Sequence, residues 1–242
     1  MRRVIFFRLV WLGLFLLPVC ALGDSGASIP VQLGPLVKGS DVFILGEKHG
    51  KPESTGLFVG LVEEVSRDGE CLTVALEISS GQQPALDRAM NGAGSVDEVV
   101  VDPIIDHPGY RAMLAGLRGL KAEGRCLHVV AIDGIEETLD RDAWMSETLT
   151  PYLGKGPVVC LLGCLHAAKK IRWEDGRVRP FLAERLVAKG FRVCSVVQIW
   201  NGQGSDFVAP LTLEDVADVL DPVAARLPEY VREFGDYVVR WE

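Results

Sequence analysis

The sequence predicts a layered α/β domain with a mainly parallel central sheet flanked by helices. Short apolar runs rich in Val, Ile and Leu recur along the chain, and longer segments with helical periodicity separate them. None of these runs alternates cleanly between polar and apolar residues, which indicates strands buried on both faces, as in a parallel sheet covered by helices. No low-complexity tract or Pro/Gly/Ser linker follows residue 40, so we expect a single domain.

The individual elements follow from these runs. The predicted strands are Val42–Leu45, Leu72–Leu76, Leu127–Ile132, Pro157–Leu162 and Val193–Val197. The predicted helices are Ser54–Arg67, Pro84–Met90, Pro108–Lys121, Leu139–Leu153 and Pro180–Lys189. Gly124 and Gly190 follow two of these helices at the place where a glycine commonly ends a helix. In the tail we expect helices at Leu213–Leu220 and Val223–Phe234 and a short strand at Tyr237–Trp241.

The first 23 residues are typical of a secretory signal peptide. Positive charge at Arg2 and Arg3 is followed by the apolar run Leu9–Val19 and by small residues at Ala21 and Gly23. This pattern predicts cleavage after Gly23 and export to the periplasm or the medium. Residues 24–39 then form an N-terminal lead-in, and residues 40–242 form the folded domain.

A membrane anchor fits the sequence less well than a signal peptide. The apolar run from Val4 to Gly23 is interrupted by Arg8 and is short for a membrane-spanning helix of about 20 residues. Val19 and Pro18 precede Cys20, which argues against lipid attachment at that cysteine. We therefore expect no stable membrane span after the signal is removed.

The charge of the chain restricts its partners. The net charge is −8, and loss of the three arginines of the signal peptide lowers it to about −11. Such an acidic protein is a poor partner for nucleic acid or an anionic membrane surface. A small-molecule or peptide substrate is the remaining expectation.

Five of the six cysteines lie beyond the signal peptide: Cys71, Cys126, Cys160, Cys164 and Cys194. An odd number leaves at least one thiol without an internal partner. Most of them lie in or beside apolar strand runs, where cysteine commonly behaves as a small buried hydrophobe. We expect mainly buried thiols and at most one or two disulfides.

Ionisable residues follow four of the predicted strands directly. They are Glu47 and His49 after the first strand, Glu77 after the second, Asp133 after the third and His166 after the fourth. Because ligands bind outside the carboxyl ends of parallel strands, these side chains should meet at one edge of the sheet. Two imidazoles and several carboxylates could bind a divalent transition metal that activates water, or could form a metal-free acid–base set.

Each of these residues also has a purely structural interpretation. Glu77 could cap the next helix, and Asp133 with Gly134 forms a favourable turn pair. His166 could be a helix N-terminal histidine. His128 lies inside an apolar strand and is predicted to be a core histidine. The convergence of four strand ends is what favours a functional site.

Four segments, in order, resemble a known superfamily. They are Ile44–Glu53, Ala75–Glu77, Arg141–Met145 and Leu162–Ala167, and they contain the two turns Gly46-Glu47-Lys48-His49 and Gly163-Cys164-Leu165-His166. This pattern is similar to the superfamily that joins the erythromycin esterases, the ChaN haem-binding lipoproteins, the TraB proteins and the Tiki proteases. The resemblance covers roughly residues 40 to 200, and the first turn is closest to the ChaN-like form.

The resemblance implies a role for each matching residue. Glu47, His49, Glu77 and His166 would form the site, with His49, Glu77 and His166 as metal ligands if a divalent transition metal is bound. Arg141 would orient a carboxylate or stabilise a developing negative charge. Without the resemblance, Arg141 would be a surface arginine paired with Asp142 or Glu137. Cys164 is expected to be a buried spacer rather than a ligand.

Three functions are compatible with this site. The leading hypothesis is an exported hydrolase in which His49 or His166, with Glu47 or Glu77, activates water for attack on a peptide or ester bond. The alternative is a haem- or iron-binding protein of the cell envelope, with Tyr110 or His107 as an axial group. The third is an interaction protein that kept the fold and lost the activity, which the intact Glu and His set argues against.

Overall fold

The chain forms a seven-stranded sheet with helices on both faces. The structure is a computed structural model, and it describes residues 27–135, 138–169, 179–200, 210–215 and 235–241. The strands are β1 (Val42–Glu47), β2 (Leu72–Ser79), β3 (Leu127–Asp133), β4 (Val158–Gly163), β5 (Val193–Trp200), β6 (Pro210–Asp215) and β7 (Tyr237–Trp241). The helices are α1 (Ile29–Lys38), α2 (Pro52–Val65), α3 (Gln83–Met90), α4 (Pro108–Ala122), α5 (Arg141–Leu149) and α6 (Leu182–Ala188).

The strand order is β3-β2-β4-β1-β5-β7-β6. Every neighbouring pair is parallel except β6 and β7, which are antiparallel. The predicted mainly parallel α/β sheet is therefore confirmed, with one antiparallel strand at its edge. Because β2, β4 and β1 are neighbours, the polar residues that end these three strands lie side by side.

Two apolar layers bury the sheet, as the continuous apolar runs predicted. Successive side chains of a strand point to opposite faces, so Phe43 and Leu45 pack with the layer formed by α1 to α4, whereas Val42 and Ile44 pack with α5 and α6. All six residues of β1 are buried. This double burial holds the end of β1 rigidly, which fixes the position of the turn that follows.

Helix boundaries agree with the predictions to within a few residues, and both predicted helix-ending glycines have a positive φ, 92° at Gly124 and 88° at Gly190. Within the described residues no helix combines the length and apolar character that are needed to cross a membrane. The helix α1 was not predicted; it lies within the lead-in of residues 24–39. It packs on α2 through Leu33 and Val37, which are both buried.

Two expectations were wrong. The segment predicted as a helix from Leu213 begins in strand β6, since Leu213 pairs with Val239 of β7. Its remainder, and the predicted helix Val223–Phe234, lie outside the described residues, whereas the predicted terminal strand Tyr237–Trp241 is confirmed. His128 is not a core histidine but is exposed, because β3 is the outermost strand on its side of the sheet.

A disulfide joins Cys71 and Cys126, immediately before the neighbouring strands β2 and β3. Cys160 and Cys194 are buried thiols, and Cys164 is a half-buried thiol. One disulfide with three free thiols agrees with the expectation from the sequence.

Replacing Cys126 by Ser should lower the free energy of unfolding by about 2–4 kcal/mol, because the disulfide closes a loop between residues 55 positions apart. Urea denaturation of the oxidised proteins measures the difference. Cys164→Ser is the matched control, since its thiol forms no disulfide. Equal unfolding midpoints for the two variants would contradict a stabilising role for the disulfide.

Candidate active site

The five predicted site residues lie together at the carboxyl edge of the sheet. Glu47 is the last residue of β1, Glu77 lies near the end of β2, and His166 lies in the short 3-10 turn that follows β4. Arg141 is the first residue of α5. Direct contacts join Arg141 and His166 to Glu77, and His49 to Glu47.

Gly163 lies where these two groups meet. A Cβ atom placed on Gly163 would lie 2.8 Å from Nε2 of His49 and 3.3 Å from Oε2 of Glu77. The site therefore requires glycine at position 163, because any side chain there would clash with His49. The backbone N–H of Gly163 lies within 2.6 Å of Oε2 of Glu77, to which it donates a hydrogen bond.

Glu47 and His49 form an oriented carboxylate–imidazole pair. The Nδ1 atom of His49 lies 2.9 Å from Oε1 of Glu47, whose side chain is buried. The hydrogen bond to Glu47 raises the pKa of His49 above its usual 6.5, although burial opposes this. When Nδ1 donates to Glu47, Nε2 of the neutral ring carries the lone pair. Nε2 faces Gly163, so this nitrogen can accept a proton at the site.

Glu77 is a buried carboxylate that remains ionised. Its Oε2 accepts the Gly163 N–H, and its Oε1 accepts a hydrogen bond of 2.9 Å from Nη2 of Arg141 and lies 3.4 Å from Nε2 of His166. Burial by itself would raise the pKa of Glu77, but the His166 imidazolium and the Gly163 N–H outweigh it and lower the pKa from 4.5 to about 2.

His166 is held between two carboxylates. Its Nδ1 lies 2.7 Å from Oδ1 of Asp142, and its Nε2 faces Glu77. Burial would lower the pKa of His166, but the hydrogen bonds to Asp142 and Glu77 raise it to about 10. Only the imidazolium has two N–H groups, so a histidine between two carboxylates is a stable cation at neutral pH.

Arg141 connects Glu77 to the end of β3. Its Nε and Nη2 donate to the two oxygens of Asp133, at 2.9 and 2.6 Å, and this bond to Asp133 raises the pKa of the guanidinium despite burial. Asp133 also accepts the Gly134 N–H, as a turn residue would. Arg141 is thus bonded to Asp133 and Glu77 and not to Asp142. Its Nη1 has no hydrogen bond to a described residue, and the side chain is 47% exposed.

The donor set that the resemblance implies for a metal does not fit one as it stands. Nδ1 of His166 lies 2.7 Å from Oδ1 of Asp142, and its Nε2 lies 3.4 Å from Oε1 of Glu77. Each oxygen of Glu77 accepts one hydrogen bond, Oε1 from Arg141 and Oε2 from Gly163. Across the described ranges, three metal-ligating atoms lie within 4.8 Å of one another only at Cys71, Cys126 and His128, which are remote from this site.

Of the two axial groups expected for haem, Tyr110 is not accessible. Tyr110 is fully buried in the apolar layer beneath the sheet, and burial raises the pKa of its phenol well above 10. Nε2 of His107 is buried. Tyr110 therefore presents no ligand atom at the surface, and that expectation was wrong, whereas His107 is half-buried and stays a prediction. Cys164 is half-buried, and burial raises its thiol pKa, consistent with a spacer.

Two polar residues of the site were not predicted. Asp142 orients His166, although from the sequence it was expected only as a partner of Arg141. Its place in the first turn of α5, beside Arg141, was the available signal. Gln198 on β5 donates to the carbonyl of Gly46 and accepts from the indole of Trp241, each at 3.0 Å. Nothing in the local sequence marks Gln198, because its partners are 152 and 43 positions away.

No family model matches the chain, and no curated protein matches its sequence. Solved structures do share its fold. ChaN of Campylobacter jejuni, in a structure of cofacial haem binding, has a TM-score of 0.56 at 14% identity, covering 89% of this chain and 92% of that one. A mutant of the erythromycin esterase EreC in its open conformation has a TM-score of 0.61 at 12% identity, covering 86% and 92%.

The type III effector HopBA1 is a third structure of similar fold, with a TM-score of 0.52 at 11% identity over 87% of this chain and 92% of that one. Two of these three proteins come from groups that the sequence motifs had indicated. The resemblance inferred from the motifs is therefore supported by the fold, and at such low identity the likeness concerns the fold alone.

The pKa values of His166 and Glu77 predict how stability depends on pH. The folded pKa of His166, about 10, exceeds the ordinary 6.5, so its stabilisation is complete below pH 6.5 and is lost as the pH rises through 10. The folded pKa of Glu77 is lowered from 4.5 to about 2, so the stabilisation from Glu77 is present above pH 4.5 and is lost as the pH falls through 2. In Asp142→Asn the alkaline decline should be smaller and end at lower pH, because a neutral amide stabilises the imidazolium less and so lowers the folded pKa of His166.

Urea denaturation at intervals between pH 6.5 and 10 measures this difference. Asp68→Asn serves as the control, because Asp68 pairs with Lys38 in an exposed ion pair and faces no histidine. Superimposable alkaline declines for the wild type and Asp142→Asn would show that Asp142 does not hold the proton on His166.

Proposed function

We propose that this chain is an exported hydrolase that cleaves a peptide or ester bond by metal-free acid–base chemistry. The observation that carries the proposal is the His49 ring, which is oriented by Glu47 through Nδ1 and has Nε2 directed into the site. A carboxylate that fixes one nitrogen of a histidine, so that the other acts as a base, is the arrangement that hydrolases use to activate a nucleophile.

His49 is the general base in the proposed reaction. Its Nε2 takes a proton from a water molecule as the water oxygen bonds to the carbonyl carbon of the substrate. Glu47 stabilises the imidazolium that forms. The same proton then passes from His49 to the leaving amine or alkoxide as the scissile bond breaks, so the products are a carboxylic acid and an amine or alcohol.

Arg141 and the charged residues around it stabilise the charge that develops on the substrate. The carbonyl oxygen becomes negative during the attack, and Nη1 of Arg141, which has no bond to a described residue, can donate to it. Glu77 and Asp133 hold Arg141 in place. The His166 imidazolium adds a positive charge 3.4 Å from Oε1 of Glu77. The charged groups of the site are therefore in place before the substrate binds.

Export is supported by two independent features. The first 23 residues have the three regions of a signal peptide. The Cys71–Cys126 disulfide is of a kind that persists in oxidising compartments such as the periplasm or the extracellular medium.

Replacing His49 by Ala should lower kcat by about 10²–10⁴-fold, the usual contribution of a general base. A panel of activated esters and fluorogenic peptides, assayed with the mature protein in the presence and absence of a chelator, measures it. His128→Ala is the matched control, because His128 is an exposed histidine on the edge strand β3. Glu77→Gln should also lose activity, since it removes the charge that holds Arg141 and His166.

The pH profile of kcat/KM separates this mechanism from a structural effect of the substitutions. The acidic limb should lie above pH 6.5, because Glu47 raises the pKa of His49. The alkaline limb should lie near pH 10, where His166 loses its proton. Glu47→Gln should move the acidic limb to lower pH. Full activity in His49→Ala, or loss of activity on chelation, would overturn the proposal.

A second candidate function is haem binding, and one observation favours it besides the fold shared with ChaN. Several large apolar side chains are exposed in the connections at the carboxyl edge of the sheet: Ile104 is 68% exposed, Leu139 is 93% exposed and Leu165 is 44% exposed. An apolar surface beside an imidazole with a free Nε2 is the basic requirement of a haem site. His49 would be the axial ligand.

Titrating the mature protein with haemin should then give a shifted Soret band, which His49→Ala abolishes and His128→Ala retains. An unshifted spectrum for the wild type would eliminate this second function, and hydrolysis of the substrate panel without a Soret shift would leave the hydrolase as the function of the site.

A further inference from the structure

A second group of ligand atoms lies at the amino ends of β2 and β3. The sulfur atoms of Cys71 and Cys126 and one ring nitrogen of His128 all lie within 4.8 Å of one another. Cys126 immediately precedes the edge strand β3 and His128 is its second residue, so the extended chain points both side chains to the same face. The pairing of Leu72 with Leu127 places Cys71 directly beside Cys126.

We propose that reduction of the Cys71–Cys126 disulfide opens a metal site in which the two thiolates and His128 bind a soft or borderline cation such as Zn²⁺ or Cu⁺. In the disulfide the sulfurs carry no thiolate charge and bind metals poorly. A dithiol reductant transfers two electrons and two protons to the disulfide and is itself oxidised to a disulfide. The two thiols that form release their protons when the cation binds.

The ligand set suits such a cation. Two thiolates and an imidazole are the donors that Zn²⁺ and Cu⁺ prefer over carboxylates. With three protein ligands a fourth position stays open to water or to a small ligand. Cys71 and His128 are exposed and Cys126 is half-buried, so a cation and a reductant both have access.

This site is independent of the proposed hydrolase. It lies at the start of β3, whereas Asp133 of the candidate active site ends the same strand. At about 3.3 Å per residue, the seven-residue strand separates the two sites by roughly 20 Å. Binding at Cys71, Cys126 and His128 can therefore be tested whether or not the chain proves to be a hydrolase.

Cobalt is a suitable probe, because Co²⁺ bound to thiolates gives a near-ultraviolet sulfur-to-metal charge-transfer band that nitrogen and oxygen ligands do not give. The mature protein is reduced with a phosphine, freed of reductant without oxygen and titrated with Co²⁺, and Zn²⁺ is then added to displace it. We expect one Co²⁺ per reduced chain with this band, and no band in the oxidised protein.

Three variants assign the ligands. His128→Ala leaves the disulfide intact and should weaken Co²⁺ binding at least tenfold, since even loss of an outer-shell partner commonly weakens a metal site by about 10–100-fold. Cys71→Ser should abolish the band. Cys164→Ser, which removes the half-buried thiol near the candidate active site, should retain it.

The proposal is overturned if the reduced wild type shows no band, if the oxidised protein binds Co²⁺ with the same band, or if His128→Ala binds as tightly as the wild type. Loss of the band in Cys164→Ser with retention in Cys71→Ser would place the metal at the carboxyl edge and would equally overturn it. Circular dichroism of the reduced proteins shows whether each variant remains folded.

Discussion

Glu77 is a carboxylate with only 4% of its side chain exposed, and the site depends on the groups that compensate its buried charge. Removing a carboxylate from water costs several kcal/mol unless charged or hydrogen-bonding partners replace the water. The Gly163 N–H, the Arg141 guanidinium and the His166 imidazolium do so here, and they come from β4, α5 and the turn after β4. One carboxylate on β2 thereby joins two segments that are distant from it in sequence, the start of α5 and the end of β4 with the turn that follows it.

The charges of the site divide it into two parts with different tasks. Glu77, Asp133, Asp142, Arg141 and His166 form one part, in which each cation faces two carboxylates. The pKa values of Glu77 and His166, about 2 and about 10, keep both groups charged throughout the physiological range. Glu47 and His49 form the other part, and His49 is the group whose proton can move near neutral pH. Two histidines in one site thus acquire different roles from their surroundings, as paired titratable groups do in acid–base enzymes.

Most strands of the sheet and most residues of the site could be predicted from the sequence, because the site residues lie at the ends of recognisable apolar strands. Continuous apolar runs identified five strands, and the glycine turns after β1 and β4 placed Glu47, His49 and His166 at one edge. Pairing between distant strands was not predictable in this way. The exposure of His128 follows from the outer position of β3 in the strand order, and β6 exists through its pairing with β7. Neither fact is contained in the residues near His128 or Leu213.

Asp142 influences whether His166 acts as a metal ligand or as a cation at the carboxyl edge of the sheet. A fold of this kind is shared by ChaN and an erythromycin esterase, so the fold itself does not decide between binding and catalysis. A histidine at position 166 with only Glu77 beside it could keep a lone pair on one nitrogen and ligate a metal. The hydrogen bond from Nδ1 to Asp142 favours the doubly protonated ring instead. One carboxylate on the first turn of α5 thus favours a cationic His166, and the proposed hydrolase then has His49 as its base.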